Sequence, residues 1–270
     1  MILVIGATGN VGRNIVSQLL ESGAAVRALV RDPGAARLPE GVEAVRGDLT
    51  RPATVEAALD GVESVFLLWP GFAAEQAAPV VELIAKYARR VVYLSAMNPE
   101  GTFHGGLEAL IRESGLEWTF LRPGGFAVNT LMWAEQIREG VVRWPYARAG
   151  RSLIHERDIA AVAAVVLTGD GHAGKIYDLT GPSVVTQAEQ VRIIGEAVGR
   201  PARYEELPRE VAREQLLAAW GEATFVDGAL DHWARIVAEP EPVTHTVEEL
   251  TGVSARTFHQ WAADHAADFR

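Results

Sequence analysis

Ile2-Leu3-Val4-Ile5-Gly6-Ala7-Thr8-Gly9-Asn10-Val11-Gly12 is the stretch whose reading decides the fold. Ile2 to Ile5 is a run of β-formers with no polar residue, as expected of a strand buried on both faces. Three glycines follow at the spacing G-x-x-G-x-x-G. Beyond them Val11, Ile15, Val16, Leu19 and Leu20 fall on one helical face, and Gly23 stops the helix. Strand, glycine-rich turn and helix, in that order, form the context that gives a glycine fingerprint meaning. Gly6 permits a tight turn. Gly9 lets the backbone approach a pyrophosphate, and Gly12 lets helix and strand pack closely. The helix N-terminus then offers free N–H groups and its positive dipole end to phosphates. Thr8, Asn10 and Val11 complete this candidate phosphate loop. The competing reading, a glycine-rich turn that binds nothing, has strand, spacing and helix all against it.

The alternation continues outward. Strand patterns at residues 25–30, 42–45, 64–68, 91–94 and 118–121 alternate with helical patterns at 54–59, 75–88 and 107–114. That order predicts an α/β fold, a doubly wound parallel sheet with helices on both faces. After Arg122-Pro123-Gly124-Gly125 the regularity weakens. Helices are expected at 131–139, 158–168, 186–198, 208–220, 224–237 and 254–267, and a strand at 175–179. Thr186 and Glu189 have the spacing of a capping box. The expected organisation is a nucleotide-binding domain in residues 1–125, to which 152–180 return. A smaller, mainly helical substrate lobe is built from 126–151 and 181–270.

Composition narrows the function classes. The 270 residues contain no cysteine, which excludes disulfides, thiolate metal ligation and a Cys nucleophile. With 25 Lys+Arg against 35 Asp+Glu, the formal charge is −10, which argues against nucleic acid or an anionic membrane as partner. The longest apolar run, residues 159–167, falls far short of the ~20 residues of a membrane span. The initial apolar run is too short for a signal peptide, so a cytoplasmic location is the expectation. The partner expected is a small-molecule substrate, with a homodimer left open. The seven histidines show no pair at convincing metal-ligand spacing, and no metal is expected.

The sequence resembles the atypical short-chain dehydrogenase/reductase superfamily, and most closely its NmrA-like branch. The resemblance rests on the residue 6–12 loop, Leu29-Val30-Arg31-Asp32, Gly47-Asp48-Leu49, the run from Ser114 to Phe126 (SGLEWTFLRPGGF) and Tyr177-Asp178-Leu179-Thr180-Gly181. It implies a Rossmann domain holding a nicotinamide cofactor across the carboxyl ends of the strands. It also places Asp48 and Leu49 beside the adenine, and sets Ser95 in the position of the superfamily's serine. Alternatively Asp48 caps the helix that follows it.

Cofactor choice turns on the end of the second strand, where an acidic residue selects NAD and an arginine accommodates a 2′-phosphate. Arg31 stands there, with Arg37 as a second phosphate partner, and Asp32 comes one residue late. NADP (as NADPH) is therefore expected, with NAD the lesser alternative. Leu68 and Trp69 end the fourth strand, where a cofactor or substrate crevice opens. The backbone of Pro123 and Gly124 is expected at the nicotinamide carboxamide.

The superfamily's usual proton donor is a Tyr with a Lys four residues later, and no Tyr-x-x-x-Lys exists here. Ser95 remains, without its phenolic partner. Tyr93 lies within a strand and reads as core. His104 is read as lying in the loop before residue 107, on the cofactor side. An imidazole near its ordinary value of ~6.5 can serve as an acid, and a Gln at 104 would not replace such an acid. His104 and Ser95 are the candidate catalytic residues. Trp69, Phe72, Met97, Phe126, Asn129 and Trp133 are candidates to line a flat apolar substrate pocket. Core packing is the competing reading for these aromatics, and the preferred one for Trp233 and Trp261. The function expected is NADP(H)-dependent reduction of a small apolar or aromatic acceptor such as a quinone or enone. Hydride addition to such a molecule leaves a delocalised anion that needs a dedicated acid less than an isolated ketone does. The alternatives are a non-catalytic NADP(H)-binding redox sensor and a redox-neutral cyclase or epimerase.

Overall fold

A computed structural model describes residues 1–71 and 73–270; Phe72 lies outside the described residues. The chain forms β1 (Ile2–Ile5), α1 (Gly12–Glu21), β2 (Val26–Val30), β3 (Glu43–Arg46), α2 (Glu56–Leu59), β4 (Ser64–Leu67), α3 (Ala78–Tyr87), β5 (Arg90–Leu94), α4 (Phe103–Glu113) and β6 (Glu117–Pro123). It continues with α5 (Ala134–Glu139), β7 (Val141–Trp144), β8 (Gly150–Arg151), α6 (Glu156–Thr168), β9 (Lys175–Leu179), β10 (Val185–Thr186), α7 (Gln187–Val198) and β11 (Arg203–Glu206). The remaining helices are α8 (Arg209–Trp220), α9 (Ala223–Ala238), α10 (Thr246–Thr251) and α11 (Phe258–Asp264). Two compact units result. One holds Met1–Pro123, Glu156–Leu179 and Thr246–Ser254; the other holds Gly124–His155, Thr180–His245 and Ala255–Arg270.

The first unit is a seven-stranded sheet in the order β3-β2-β1-β4-β5-β6-β9. Every pairing is parallel, with Ile2 opposite Val26 on one side and Ser64 on the other. Alternate residues explain why the strands contain so few polar groups. Leu3, Ile5, Val65, Leu67, Val91 and Tyr93 share a core with Leu59, Ile84, Leu107 and Ile111 of the helices. The intervening Val4, Phe66 and Val92 are buried as well. Ile15, Val16 and Leu19 form the buried face of α1, which packs on α6. The small side chains of α6 let it lie close, and Ile159, Ala160, Val162, Ala163 and Val166 are all buried. The strand order reverses between β1 and β4, the switch point where such folds bind ligands.

The second unit carries two apolar clusters. Ile137, Val142, Val191, Ile194, Phe258 and Trp261 belong to one; Leu216, Val226, Leu230 and Trp233 belong to the other. Thr186 and Glu189 form the expected capping box of α7. Its two-stranded pairs, β10 with β8 and β11 with β7, escaped the sequence reading because two to four residues carry too little periodicity. α10 escaped it as well.

One expectation about the first unit is corrected. α4 begins at Phe103, so His104 is a first-turn helical residue and not a loop residue. Gly105-Gly106 read as a loop, but they are the residues that let the helix start there. A Cβ on Gly105 would lie 2.5 Å from the Pro99 carbonyl oxygen, and one on Gly106 would lie 2.8 Å from the Ala74 Cβ. The Thr102 hydroxyl caps the turn by accepting from the His104 N–H at 3.2 Å.

Candidate functional site

The phosphate loop leaves the carboxyl end of β1. Gly6 adopts φ +83°, a conformation favouring glycine. The Gly9 N–H donates to the Gly6 carbonyl at 3.0 Å, and the Arg13 N–H donates to the Gly9 carbonyl at 3.0 Å. The N–H groups of Asn10, Val11 and Gly12 have no acceptor among the described residues. They lie at the N-terminus of α1, whose first turn holds no acidic residue. A Cβ on Gly12 would sit 2.0 Å from the Gly6 oxygen, so the close approach of helix and loop requires glycine there. Thr8, Gly9 and Asn10 are exposed, whereas the Val11 side chain is buried and leaves only its N–H to offer. Leu68 covers the loop, its Cβ 3.4 Å from where a Cβ on Gly6 would stand. Consecutive free donors over a cradle without side chains fit a pyrophosphate.

At the ends of β2 and β3 the charges sort by sign. Arg31 and Arg37 are exposed and make no hydrogen bond or ion pair among the described residues. Asp32 is turned into its own loop, where its Oδ1 accepts from the Gly34 N–H at 3.1 Å and lies 3.7 Å from Arg46. Asp48 accepts from the Thr50 hydroxyl at 2.8 Å and the Thr50 N–H at 3.0 Å. Those bonds, with Arg51 and Arg31 nearby, hold its carboxyl below the usual range. Asp48 therefore caps the turn after β3, while Leu49 packs on the core. A free arginine beside a carboxylate occupied elsewhere suits a 2′-phosphate.

The ends of β5 and β6 hold a buried polar network that the sequence did not disclose. Ser95 is 2% exposed and donates its hydroxyl to Glu108 Oε1 at 2.6 Å. Glu108, 1% exposed, accepts from Arg122 through Nε at 2.8 Å and Nη2 at 2.6 Å, and from Arg112 at 2.9 Å. Burial alone would raise the Glu108 carboxyl, but Arg122, Ser95 and Arg112 outweigh it and hold it low. The signal available in the sequence was an acid between Leu107 and Ile111 on the apolar face of α4, four residues before an arginine. Backbone bonds fix the segment after β5, from the Ser95 N–H to Leu121 at 2.8 Å and from the Met97 N–H to the buried Pro123 at 3.1 Å.

Tyr93 is fully buried in β5, as expected of core, but its hydroxyl lies 2.7 Å from His104 Nδ1. Burial lowers the His104 imidazole and raises the Tyr93 phenol, so both are neutral at neutral pH. Glu108 opposes the shift of His104 without cancelling it. Trp69 is buried in the core of this unit, and its indole N–H has no hydrogen-bond partner among the described residues.

The remaining predicted residues lie in the second unit. Gly124 opens it, and Phe126 bridges to Ile154. Asn129 is exposed. Trp133 is 3% exposed within an apolar cluster and stands edge-on to Trp144 at 5.9 Å. Trp233 and Trp261 are buried core residues. His155 is likewise buried, with Nε2 3.3 Å from Asp264. Among the described residues no group of three or more His, Asp or Glu could hold a metal ion, and no helix is long and apolar enough to cross a membrane.

Comparison with known proteins agrees with this geometry. Residues 6–170 match the family described as NAD(P)H-binding. The chain is 38% identical to the (4-alkanoyl-5-oxo-2,5-dihydrofuran-3-yl)methyl phosphate reductase of Streptomyces griseus, and 36% identical to the NAD(P)H azoreductase of Xenophilus azovorans. Both alignments span 100% of this chain and 99% of the relative. The crystal structure of the NADPH-dependent quinone oxidoreductase of Escherichia coli complexed with NADPH matches the fold with a TM-score of 0.81. That match covers 98% of this chain and 99% of that one at 23% identity. With loop, sheet order and sequence in agreement, the chain belongs to the NAD(P)H-binding family, in the NmrA-like branch of the atypical short-chain dehydrogenase/reductases.

Proposed function

We propose that this protein is an NADPH-dependent reductase of small conjugated acceptors, in which the acceptor itself spreads the charge left by hydride addition. A complete dinucleotide loop beside a reaction edge without Tyr-x-x-x-Lys carries the reading. Bound NADPH supplies a hydride. The chain's contribution is to hold it: the N–H groups of Asn10, Val11 and Gly12 meet the pyrophosphate, and Arg31 with Arg37 meets the 2′-phosphate. At the other end His104 presents a neutral imidazole, and Met97 with Trp69 is proposed to shape the acceptor site. The Ser95 hydroxyl already donates its hydrogen bond to Glu108, so its remaining capacity is as an acceptor. The two relatives' names describe substrates of the expected kind, a furanone bearing an alkanoyl group and an azo compound. Dependence on reduced NADPH fits a cytoplasmic setting.

The test is NADPH oxidation with a panel of quinones, azo dyes, acyl-substituted furanones and isolated ketones. Turnover of conjugated acceptors, with isolated ketones inert, is expected. Turnover confined to isolated ketones would contradict the charge-spreading argument. Tight NADPH binding with no oxidation across the panel would favour a sensor.

A further inference from the structure

Resting on the reductase reading, we infer that Tyr93 is a positioning residue that locks His104 in the tautomer protonated at Nε2. His104 then meets the acceptor as a neutral hydrogen-bond donor and not as a general acid. The argument starts from the phenol. Tyr93 is fully buried, with its ring edge-on to Phe120 at 6.1 Å, and its hydroxyl has a single partner among the described residues, His104 Nδ1 at 2.7 Å. If Nδ1 carried the proton and donated, the phenolic hydrogen would be left buried with no acceptor, the costlier arrangement. The phenol therefore donates and Nδ1 accepts. A neutral imidazole with Nδ1 accepting carries its one hydrogen on Nε2.

The surroundings keep the ring neutral. His104 is half-buried, and Phe103 lies against it at 3.9 Å between ring centroids. Glu108, one turn along α4, is the anion that acts on it. That carboxylate is already held by Arg122 from β6, Arg112 from α4 and Ser95 from the end of β5. The same geometry rules out Tyr93 as the proton source, because passing its proton to Nδ1 would leave a buried tyrosinate near Glu108, whose charge helps raise the phenol. The anion left by hydride addition accepts the Nε2–H hydrogen bond and afterwards takes its proton from water, so neither side chain changes charge. This reverses the expectation of an acid at 104.

Nitrogen NMR of the cofactor-free protein labelled with ¹⁵N-histidine reads the tautomer directly, and the spectrum of His104→Gln identifies the resonances. A protonated-type Nε2 and a pyridine-type Nδ1 through the neutral range are expected, with Tyr93→Phe giving a mixture of tautomers. A protonated Nδ1, or an imidazolium at neutral pH, would overturn the inference. This readout needs no turnover, so it stands or falls separately from the reductase reading. In turnover, His104→Gln, whose amide N–H stands in for Nε2–H, should keep kcat within about tenfold of the parent, the scale of one weakened hydrogen bond. His104→Ala should lose more, and the parent should show no histidine limb in its pH profile. Equal loss in the Gln and Ala variants, with such a limb in the parent, would restore the acid.

Discussion

Arg31 is the residue on which cofactor choice rests. It is exposed at the end of β2 and makes no hydrogen bond or ion pair among the described residues, while the Asp32 carboxylate is spent on Gly34 and faces Arg46. Arg31→Ala should weaken NADPH binding by about 1.5–3 kcal/mol, the worth of a charge-assisted hydrogen bond, and leave NADH nearly unchanged. Calorimetry showing equal affinities for the two in the parent would contradict this. Gly12 offers a harsher test. An added methyl would strike the Gly6 carbonyl at 2.0 Å, so Gly12→Ala must displace the loop or the helix. NADPH affinity should fall more than tenfold (~1.4 kcal/mol), with the fold retained by circular dichroism. At this scale the glycines and Arg31 were legible in the sequence, because backbone freedom and fixed charge belong to the residue itself. The Tyr93–His104 bond was not, because a strand phenol meeting an imidazole eleven residues later exists only once β5 and α4 have packed.

Among the elements, α4 shows what local pattern conceals. Its glycines suggested a loop, yet close approach to Pro99 and Ala74 requires them. Its apolar face suggested plain core, yet that face carries Glu108, which ties the helix to β6 through Arg122 and to the end of β5 through Ser95. Glu108→Gln removes the buried charge and leaves the half-buried Arg122 without its charge-assisted hydrogen bonds, at a cost of about 1.5–3 kcal/mol in urea denaturation. The sign of the pH dependence follows from the direction of the shift. Folding lowers the Glu108 carboxyl below its ordinary 4.5. Its stabilisation is thus complete above that value and is lost as pH falls through the lower folded value. The urea midpoint of the parent should drop across that acid window, and the Gln variant should lack this part of the drop. A midpoint equally steep in both would show that other carboxylates dominate.

For the whole molecule, a parallel sheet in the order β3-β2-β1-β4-β5-β6-β9 brings the phosphate loop, the Arg31 end of β2 and the ends of β5 and β6 to one edge. That architecture was legible because buried parallel strands are nearly continuous apolar runs between helical repeats. The second unit was less so, since its strands are short and its tryptophans pack as core. NADPH at about a hundredfold over its dissociation constant should stabilise the folded protein by ~2.7 kcal/mol, and Arg31→Ala should need proportionally more NADPH for the same thermal shift. The central claim is hydride transfer to a conjugated acceptor, and an isotope follows it directly. The protein is given NADPH deuterated at the transferring carbon of its nicotinamide, with an acyl-substituted furanone whose double bond is conjugated to both carbonyls. The account predicts product with one deuterium on the carbon β to those carbonyls and solvent hydrogen at the other position. Reduced product carrying no deuterium on carbon, or NADPH left unoxidised with quinone, azo and furanone acceptors alike, would contradict it.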